Sequence, residues 1–166
     1  FLDDFHQENP DVPLGISEYG VDANPRFHRD IPQLKDYSEE FQSLFHETVY
    51  PILNSRPYIW GTFVWNLFDF GSAMRNEGGT KGRNCKGLVT YDRKLRKDAF
   101  YFYKAEWSKE PFVHVNSRRY VQRAADTITV RVYSNLLEVS LQVDGKLFAK
   151  KKGKTVFEFH DVPLHK

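Results

Sequence analysis

The sequence lacks several features that would point to particular classes of protein. Its 166 residues include one cysteine, Cys85, so no disulfide can form within the chain. It contains neither a secretory signal nor an apolar run long enough to cross a membrane. The formal net charge is only +2, which gives no indication of a nucleic-acid or membrane-surface partner. We therefore expect no disulfide scaffold, no nucleic-acid partner and no membrane partner.

Aromatic residues, in contrast, are abundant. They make up 16% of the sequence, with 14 Phe, 9 Tyr and 3 Trp. This content suits a carbohydrate-processing protein, in which flat apolar faces stack on sugar rings. A Phe-rich core would give the same composition, so the composition alone does not separate the two explanations.

Two apolar runs separated by an amphipathic helix dominate the first half of the chain. Residues 12–17 and 58–65 predict buried strands, and the apolar repeat between residues 37 and 54 predicts a helix. This order predicts a parallel crossover unit. A carboxylate, Glu18, follows the first strand, at the end where active sites of parallel barrels collect. The alternative is an ordinary strand-end glutamate that faces solvent.

The remaining chain divides into a connection, a helix and a β-rich tail. Residues 66–89 contain five glycines and little periodicity, which predicts a long connection, and residues 97–107 predict a helix. Short alternating segments then predict strands at residues 112–116, 127–133, 139–143, 146–149 and 156–159. This pattern is typical of a β-sandwich. The basic run at residues 150–154 is interpreted as a solvated turn.

Four segments carry a resemblance to a known family. They are Ile16-Ser-Glu-Tyr-Gly20, Gly61-Thr-Phe-Val-Trp-Asn-Leu-Phe-Asp-Phe-Gly71, Lys86-Gly-Leu-Val-Thr-Tyr-Asp-Arg93 and Lys97-Asp-Ala-Phe-Tyr-Phe-Tyr-Lys104. Together they closely resemble glycoside hydrolase family two, the β-galactosidases and β-glucuronidases. The resemblance implies an α/β plus β fold. Residues 1–109 would form the last strands and helices of a TIM (β/α)8 barrel, and residues 110–166 the beginning of an immunoglobulin-like β-sandwich.

The resemblance also implies roles for particular residues. Glu18 would be the nucleophile of a retaining β-glycosidase, and Trp65 would form an aromatic floor under the sugar. Asn84 and Lys86 have the Asn-x-Lys spacing that glucuronidases use against a sugar carboxylate. Galactosidase-like relatives are expected to carry the same spacing, so it does not separate the two enzymes. A core tryptophan and a structural turn are the respective alternatives. By the same analogy, the peptide between Trp65 and Asn66 would be cis in the intact barrel. No metal or cofactor is implied.

The general acid/base of such an enzyme is missing from the sequence. The resemblance places it after an Asn on an earlier strand, and no Asn-Glu pair precedes Glu18. The chain also begins at Phe1, within a helical pattern. We therefore expect an excised fragment that is inactive alone, with the localisation of its parent left open.

The leading hypothesis is a fragment of an enzyme that hydrolyses terminal β-galactosides, with a carbohydrate as its partner. A β-glucuronidase is the alternative within the same family. The tail after residue 111 argues against it, because glucuronidases are expected to end soon after the barrel. A folding or interaction module without activity is the alternative from a different class. The sequence does not identify the sugar, the linkage or the aglycone.

Self-association is the first testable prediction. Two strands of a barrel leave open edges and uncovered apolar faces, which a partner normally buries. We expect the 166-residue chain to form oligomers at micromolar concentration, as measured by light scattering. A monodisperse monomer would contradict this, and would mean that the helix at residues 97–107 and the β-tail cover the strands.

Overall fold

The computed structural model describes residues 1–164, and its first half contains the predicted strand–helix–strand unit. The elements are α1 (Leu2–Glu8), β1 (Leu14–Tyr19), α2 (Glu39–Asn54) and β2 (Ile59–Val64). Strands β1 and β2 pair in parallel, so the predicted crossover unit is confirmed. Strand β1 begins two residues later than predicted and includes Glu18 as its penultimate residue.

Helix α2 follows from local sequence signals at both ends. The Ser38 hydroxyl accepts a hydrogen bond from the Phe41 amide at 3.0 Å, as an N-cap does, and two glutamates occupy the first turn. Pro51 lies inside the last turn, and the helix ends at Asn54. The buried face of α2 includes Tyr50 and Leu53, which pack against α3 (Asp98–Trp107).

A β-hairpin occupies the segment that was predicted to be an irregular connection. Strands β3 (Phe70–Glu77) and β4 (Thr80–Asn84) pair antiparallel. They are joined by Gly78 and Gly79, which have φ values of 62° and 69°. Only glycine adopts two such conformations in succession easily, and a two-glycine turn favours a hairpin. The turn signal was therefore present in the sequence, but the polar strands gave no apolar alternation.

The second half of the chain forms two small antiparallel sheets. The strands are β5 (Val113–Val115), β6 (Thr127–Ser134), β7 (Glu138–Val143), β8 (Lys146–Lys152) and β9 (Thr155–Pro163). One sheet has the order β5-β6-β9, and the other pairs β7 with β8. A buried apolar cluster that includes Val132, Val139 and Phe157 joins them. The five predicted strands are thus confirmed, with shifted ends.

A second apolar cluster joins the two halves. It combines Tyr50 of α2, Phe102 and Tyr103 of α3, and Tyr133 of β6, which is fully buried. The predicted boundary between residues 109 and 110 stays a prediction, and this cluster spans it.

The structure shows the α/β plus β character without a closed barrel. Within residues 1–164 the parallel sheet has two strands, and β2 leaves Trp60 67% and Phe63 54% exposed. The TIM-barrel and immunoglobulin-like assignments therefore go beyond the described fold. The helices in this part of the chain are too short or too polar to cross a membrane.

A buried hydrogen-bonded chain lies behind β1. Tyr103 donates its hydroxyl proton to the Tyr19 hydroxyl at 2.9 Å, and the Tyr103 oxygen lies 2.8 Å from His46 Nδ1. The His46 ring is thereby linked through Nδ1 to both tyrosines. Its Nε2 has no partner among the described residues. Burial without a nearby anion lowers the pKa of His46 to about 3.

The second prediction concerns His46 and pH. Because the folded state holds His46 neutral and the unfolded chain titrates near 6.5, the unfolded state binds more protons below that pH. Its contribution to stability is present above about pH 6.5 and is lost as the pH falls. Between pH 7 and pH 5 the wild-type chain should lose about 2 kcal/mol more than His46→Gln. Urea unfolding at one protein concentration measures this, and equal losses would contradict it.

Candidate active site

The ends of β1 and β2 place two of the predicted site residues together. Tyr19 pairs with Val64, and the Trp65 amide donates to the Tyr19 carbonyl at 2.8 Å. Glu18 and Trp65 therefore lie at the same end of the parallel sheet, as the sequence predicts. This is the carboxyl end of both strands, where parallel sheets carry their active sites.

A β-bulge sets the position of Glu18. Ile16 pairs with Thr62 and Tyr19 with Val64, so Ser17 and Glu18 together lie opposite a single residue of β2. Such bulges reorient side chains and are common beside active sites. Ser17 and Glu18 are both exposed, and Tyr19 is buried. No other described residue hydrogen-bonds to the Glu18 carboxylate, which leaves it accessible to a substrate.

Two glycines permit the close approach of the loops that follow the strands. A Cβ on Gly20 would lie 1.9 Å from the Trp65 carbonyl oxygen. A Cβ on Gly87 would lie 2.1 Å from the Asp69 amide nitrogen. Both distances are far below van der Waals contact, so any side chain at either position would force the backbones apart.

Trp65 is partly exposed, and contacts of its backbone hold it in position. Its ring packs edge-on against Phe70, with the centroids 5.8 Å apart, and 37% of the residue is accessible. The peptide between Trp65 and Asn66 is cis. Asn66 donates to the Lys86 carbonyl at 3.3 Å, which brings Trp65 beside the segment from Asn84 to Lys86.

Asn84 and Lys86 differ in their surroundings. Asn84 is buried at the end of β4, and its Oδ1 accepts from the Lys86 amide at 3.0 Å, which is a turn-forming contact. Lys86 is half-buried and lines a cleft of about 320 Å³ that also contains Gly20, Asp22 and Arg75. Lys86 shows no ion pair with any residue in the described part of the chain. The structure thus places Lys86 in the cleft beside Gly20, whereas Asn84 does not line it.

The sequence analysis missed Asp22 and Arg75 in this cleft. Arg75 lies on β3 and forms ion pairs with Asp22 at 2.8 Å and with Glu77 at 2.6 Å. Asp22 also accepts from the Cys85 amide at 2.9 Å. Asp22 lies two residues after Gly20, so its closeness to the end of β1 could have indicated from the sequence that it belongs to the site. No sequence feature indicated Arg75, because the hairpin that carries it was not predicted.

A buried lysine ties these loops together. The Lys97 side chain is completely buried, and its Nζ donates to the Ala23 carbonyl, the Asp69 carboxylate and the Cys85 carbonyl at 2.8–2.9 Å. The three acceptors belong to the loops after β1, β2 and β4. All three ammonium protons are therefore used. Burial raises the pKa of Asp69, and the Lys97 charge opposes that shift.

Metal-binding side chains are not grouped in this region. Within residues 1–164, no three His, Cys, Asp or Glu residues are arranged to hold a metal ion. Burial raises the pKa of the Cys85 thiol, which disfavours the thiolate and therefore a nucleophilic role.

Comparison with known proteins defines the class. No protein-family model matches the chain. Its homologues are glycoside hydrolases, and most of those found are β-glucuronidases. The chain is 43% identical over 161 residues to a β-glucuronidase of Bacteroides fragilis, covering 93% of this chain and 23% of that protein.

Two solved structures extend the similarity to the whole chain. An FMN-binding β-glucuronidase from Facaelibacterium prausnitzii L2-6 is 53% identical, with a TM-score of 0.95. A Bacteroides fragilis protein provisionally named a β-galactosidase is 33% identical, with a TM-score of 0.90. Each match covers 99% of this chain and 26% of the other. The chain thus spans about a quarter of the relatives it matches.

These matches correct the preference for a β-galactosidase. The sequence analysis took the β-rich tail as evidence against a β-glucuronidase. The F. prausnitzii β-glucuronidase covers 99% of this chain, including that tail. The tail therefore does not discriminate, and the β-glucuronidase alternative fits the comparisons better.

The third prediction tests the buried lysine. Lys97→Met removes the partner of a buried carboxylate, so the free energy of unfolding should fall by about 3–5 kcal/mol in urea titrations. Adding Asp69→Asn to Lys97→Met should recover part of the loss, because no buried charge then remains unpaired. Lys94→Met is the matched control, since Lys94 is exposed and the change should stay within about 0.5 kcal/mol. A similar small effect for Lys97→Met would show that the network is not stabilising.

Proposed function

We propose that the chain is part of a retaining β-glucuronidase of glycoside hydrolase family two. The observation that carries this proposal is that Glu18 lies two residues before Gly20, which lines the same cleft as Lys86. An accessible carboxylate stands at the carboxyl end of β1, and an unpaired ammonium lines the cleft that begins at Gly20. The similarity to β-glucuronidases supports the same assignment.

In this proposal Glu18 attacks the anomeric carbon of the substrate. A retaining enzyme uses one carboxylate as nucleophile and a second carboxyl group, about 5 Å away, as acid and then base. The glycosidic bond breaks as the Glu18–sugar ester forms, and the second group protonates the leaving oxygen. Water then hydrolyses the ester. The second carboxyl group is assigned to a part of the parent outside these 166 residues.

The electrostatics of the cleft favour an acidic sugar. Arg75 forms ion pairs with both Asp22 and Glu77, whereas the two lysines of the lining, Lys35 and Lys86, form none with a described residue. A glucuronide presents a carboxylate where a galactoside presents a hydroxymethyl group. The carboxylate would form a charge-assisted hydrogen bond with Lys86, whereas a neutral group would leave the ammonium unpaired. Trp65 would support the sugar ring, and Asn84 would act mainly by holding the turn that presents Lys86.

The fourth prediction is made for the full-length parent enzyme. Glu18→Gln should reduce hydrolysis of an aryl β-glucuronide to the background rate, because an amide cannot act as the nucleophile. Lys86→Met should lower the ratio of kcat/KM for a β-glucuronide to that for the matching β-galactoside. The expected fall is about 10–150-fold, from the loss of one hydrogen bond to a charged group.

A control variant separates a loss of sugar specificity from a general loss of activity. Lys81→Met removes an exposed lysine of β4 and should leave the ratio unchanged. An unchanged ratio in Lys86→Met would remove Lys86 from sugar recognition. A wild-type parent that prefers the galactoside would overturn the glucuronidase assignment. The 166-residue chain alone is expected to be inactive towards both sugars.

As a second candidate function, we propose that the parent binds a flavin. The observation that favours it is the 53% identity, over 99% of this chain, to a β-glucuronidase described as FMN-binding. This departs from the expectation of no cofactor. Flavin fluorescence titrated with the protein tests it, and unchanged fluorescence together with no retention of FMN in equilibrium dialysis would reject it.

A further inference from the structure

The side chain of Gln42 joins two of the segments that carry the proposed site residues. Gln42 belongs to the buried face of α2 and is completely buried. Its Nε2 donates to the Val21 carbonyl at 3.0 Å, and to the carbonyls of Lys86 and Gly87 at 3.3 Å each. Val21 lies in the loop after β1, three residues beyond Glu18. One amide group therefore links the loop behind the proposed nucleophile to Lys86.

The end of β2 is attached at the same point. The amide of Asn66, which follows Trp65, donates to the Lys86 carbonyl oxygen at 3.3 Å. Gln42 and Asn66 therefore share one acceptor, whose two lone pairs can serve two donors. The residues proposed to attack, support and recognise the sugar thus come from three segments that converge on the Gln42 amide and the Lys86 carbonyl.

The surroundings fix the orientation of the Gln42 amide. Three carbonyl oxygens can accept from a nitrogen and offer nothing to another oxygen, so the NH2 end must face them. The opposite atom, Oε1, has no partner among residues 1–164. Two protons serve three acceptors, and the equal, longer distances to Lys86 and Gly87 indicate that these two carbonyls share one proton. Gln42 therefore acts here only as a donor.

Gln42 and the buried lysine described above hold the same loops at different points. The lysine donates to the carbonyls of Ala23 and Cys85, and neither of these residues lines the cleft that contains Lys86. Val21 and Lys86, which accept from Gln42, both line that cleft. Of the two donors, Gln42 is therefore the one that contacts the cleft lining directly.

We propose that Gln42 is a positioning residue that sets the separation of Glu18 and Lys86, and thereby the preference for a sugar that carries a carboxylate. This inference rests on the proposed β-glucuronidase function. Glu18 must reach the anomeric carbon while Lys86 reaches the carboxylate of the same ring, so both contacts form only when the two loops are correctly spaced. A galactoside has no carboxylate and needs only the first contact. Loss of the Gln42 donor should therefore impair glucuronide hydrolysis more than galactoside hydrolysis.

The test uses the full-length parent with an aryl β-glucuronide and the matching β-galactoside. Gln42→Met keeps the length of the side chain and removes its donors. The ratio of kcat/KM for the glucuronide to that for the galactoside should fall by about 2–12-fold, the value of one neutral hydrogen bond. An unchanged ratio would overturn the proposal. If Gln42→Met does not fold, Gln42→Asn decides by the same ratio, because it keeps an amide in the core but is one methylene too short.

A double variant separates the positioning of Lys86 from a general loss of structure. If Gln42 acts through Lys86, adding Gln42→Met to Lys86→Met should leave the ratio as it is in Lys86→Met alone, and a further fall would contradict the proposal. Two controls should leave the ratio unchanged. Ser134→Ala removes a buried hydrogen bond to the Phe112 carbonyl in the β-rich half, and Gln142→Met makes the same substitution at an exposed position.

The outcomes also separate this inference from the function on which it rests. A fall of the ratio in Lys86→Met without one in Gln42→Met rejects the positioning role and leaves the β-glucuronidase proposal standing. An unchanged ratio in Lys86→Met, or a wild-type parent that prefers the galactoside, rejects both.

Discussion

The loops of the candidate active site depend on one buried charge. An ammonium group without water must be surrounded by acceptors, because an unpaired charge inside a protein is very costly. The acceptors of Lys97 come from the segments after β1, β2 and β4. These segments lie 12–74 residues from Lys97 in sequence. A single side chain at the start of α3 therefore fixes the relative positions of the loops that carry Trp65 and Lys86.

The same principle joins the two halves of the chain. Glu39 at the start of α2 and Asp98 at the start of α3 are both buried, and Arg119 from the β-rich half donates to each carboxylate. His114 Nε2 lies 2.9 Å from Asp98. Burial, followed by the Asp98 charge, raises the pKa of Glu39 to about 7. The junction is thus polar at its centre, and its geometry is specified by directional bonds as well as by the apolar cluster around Tyr133.

The sequence predicted the elements that have a strong apolar period and missed those that do not. Helix α2 and strands β1 and β2 follow from spacing, caps and flanking turns. The β3–β4 hairpin has exposed polar strands, so only its two glycines signalled it. The burial of Lys97 had no local signal, because it results from three distant backbones. The preference for a β-galactosidase arose because the Asn84–Lys86 spacing is expected in both candidate enzymes, and because the tail was given a weight that it does not have.

The position of Glu18 shows how a small irregularity creates a site. In a regular strand, successive side chains alternate between the faces, so Ser17 and Glu18 would point to opposite sides. The extra residue opposite Phe63 breaks this alternation. Ser17 and Glu18 are consequently both exposed, whereas Tyr19 enters the core and joins Tyr103 and His46. Strict alternation would place Ser17 on the same face as Tyr19, so the bulge is what lets Ser17 and Glu18 both face solvent while Tyr19 enters the core.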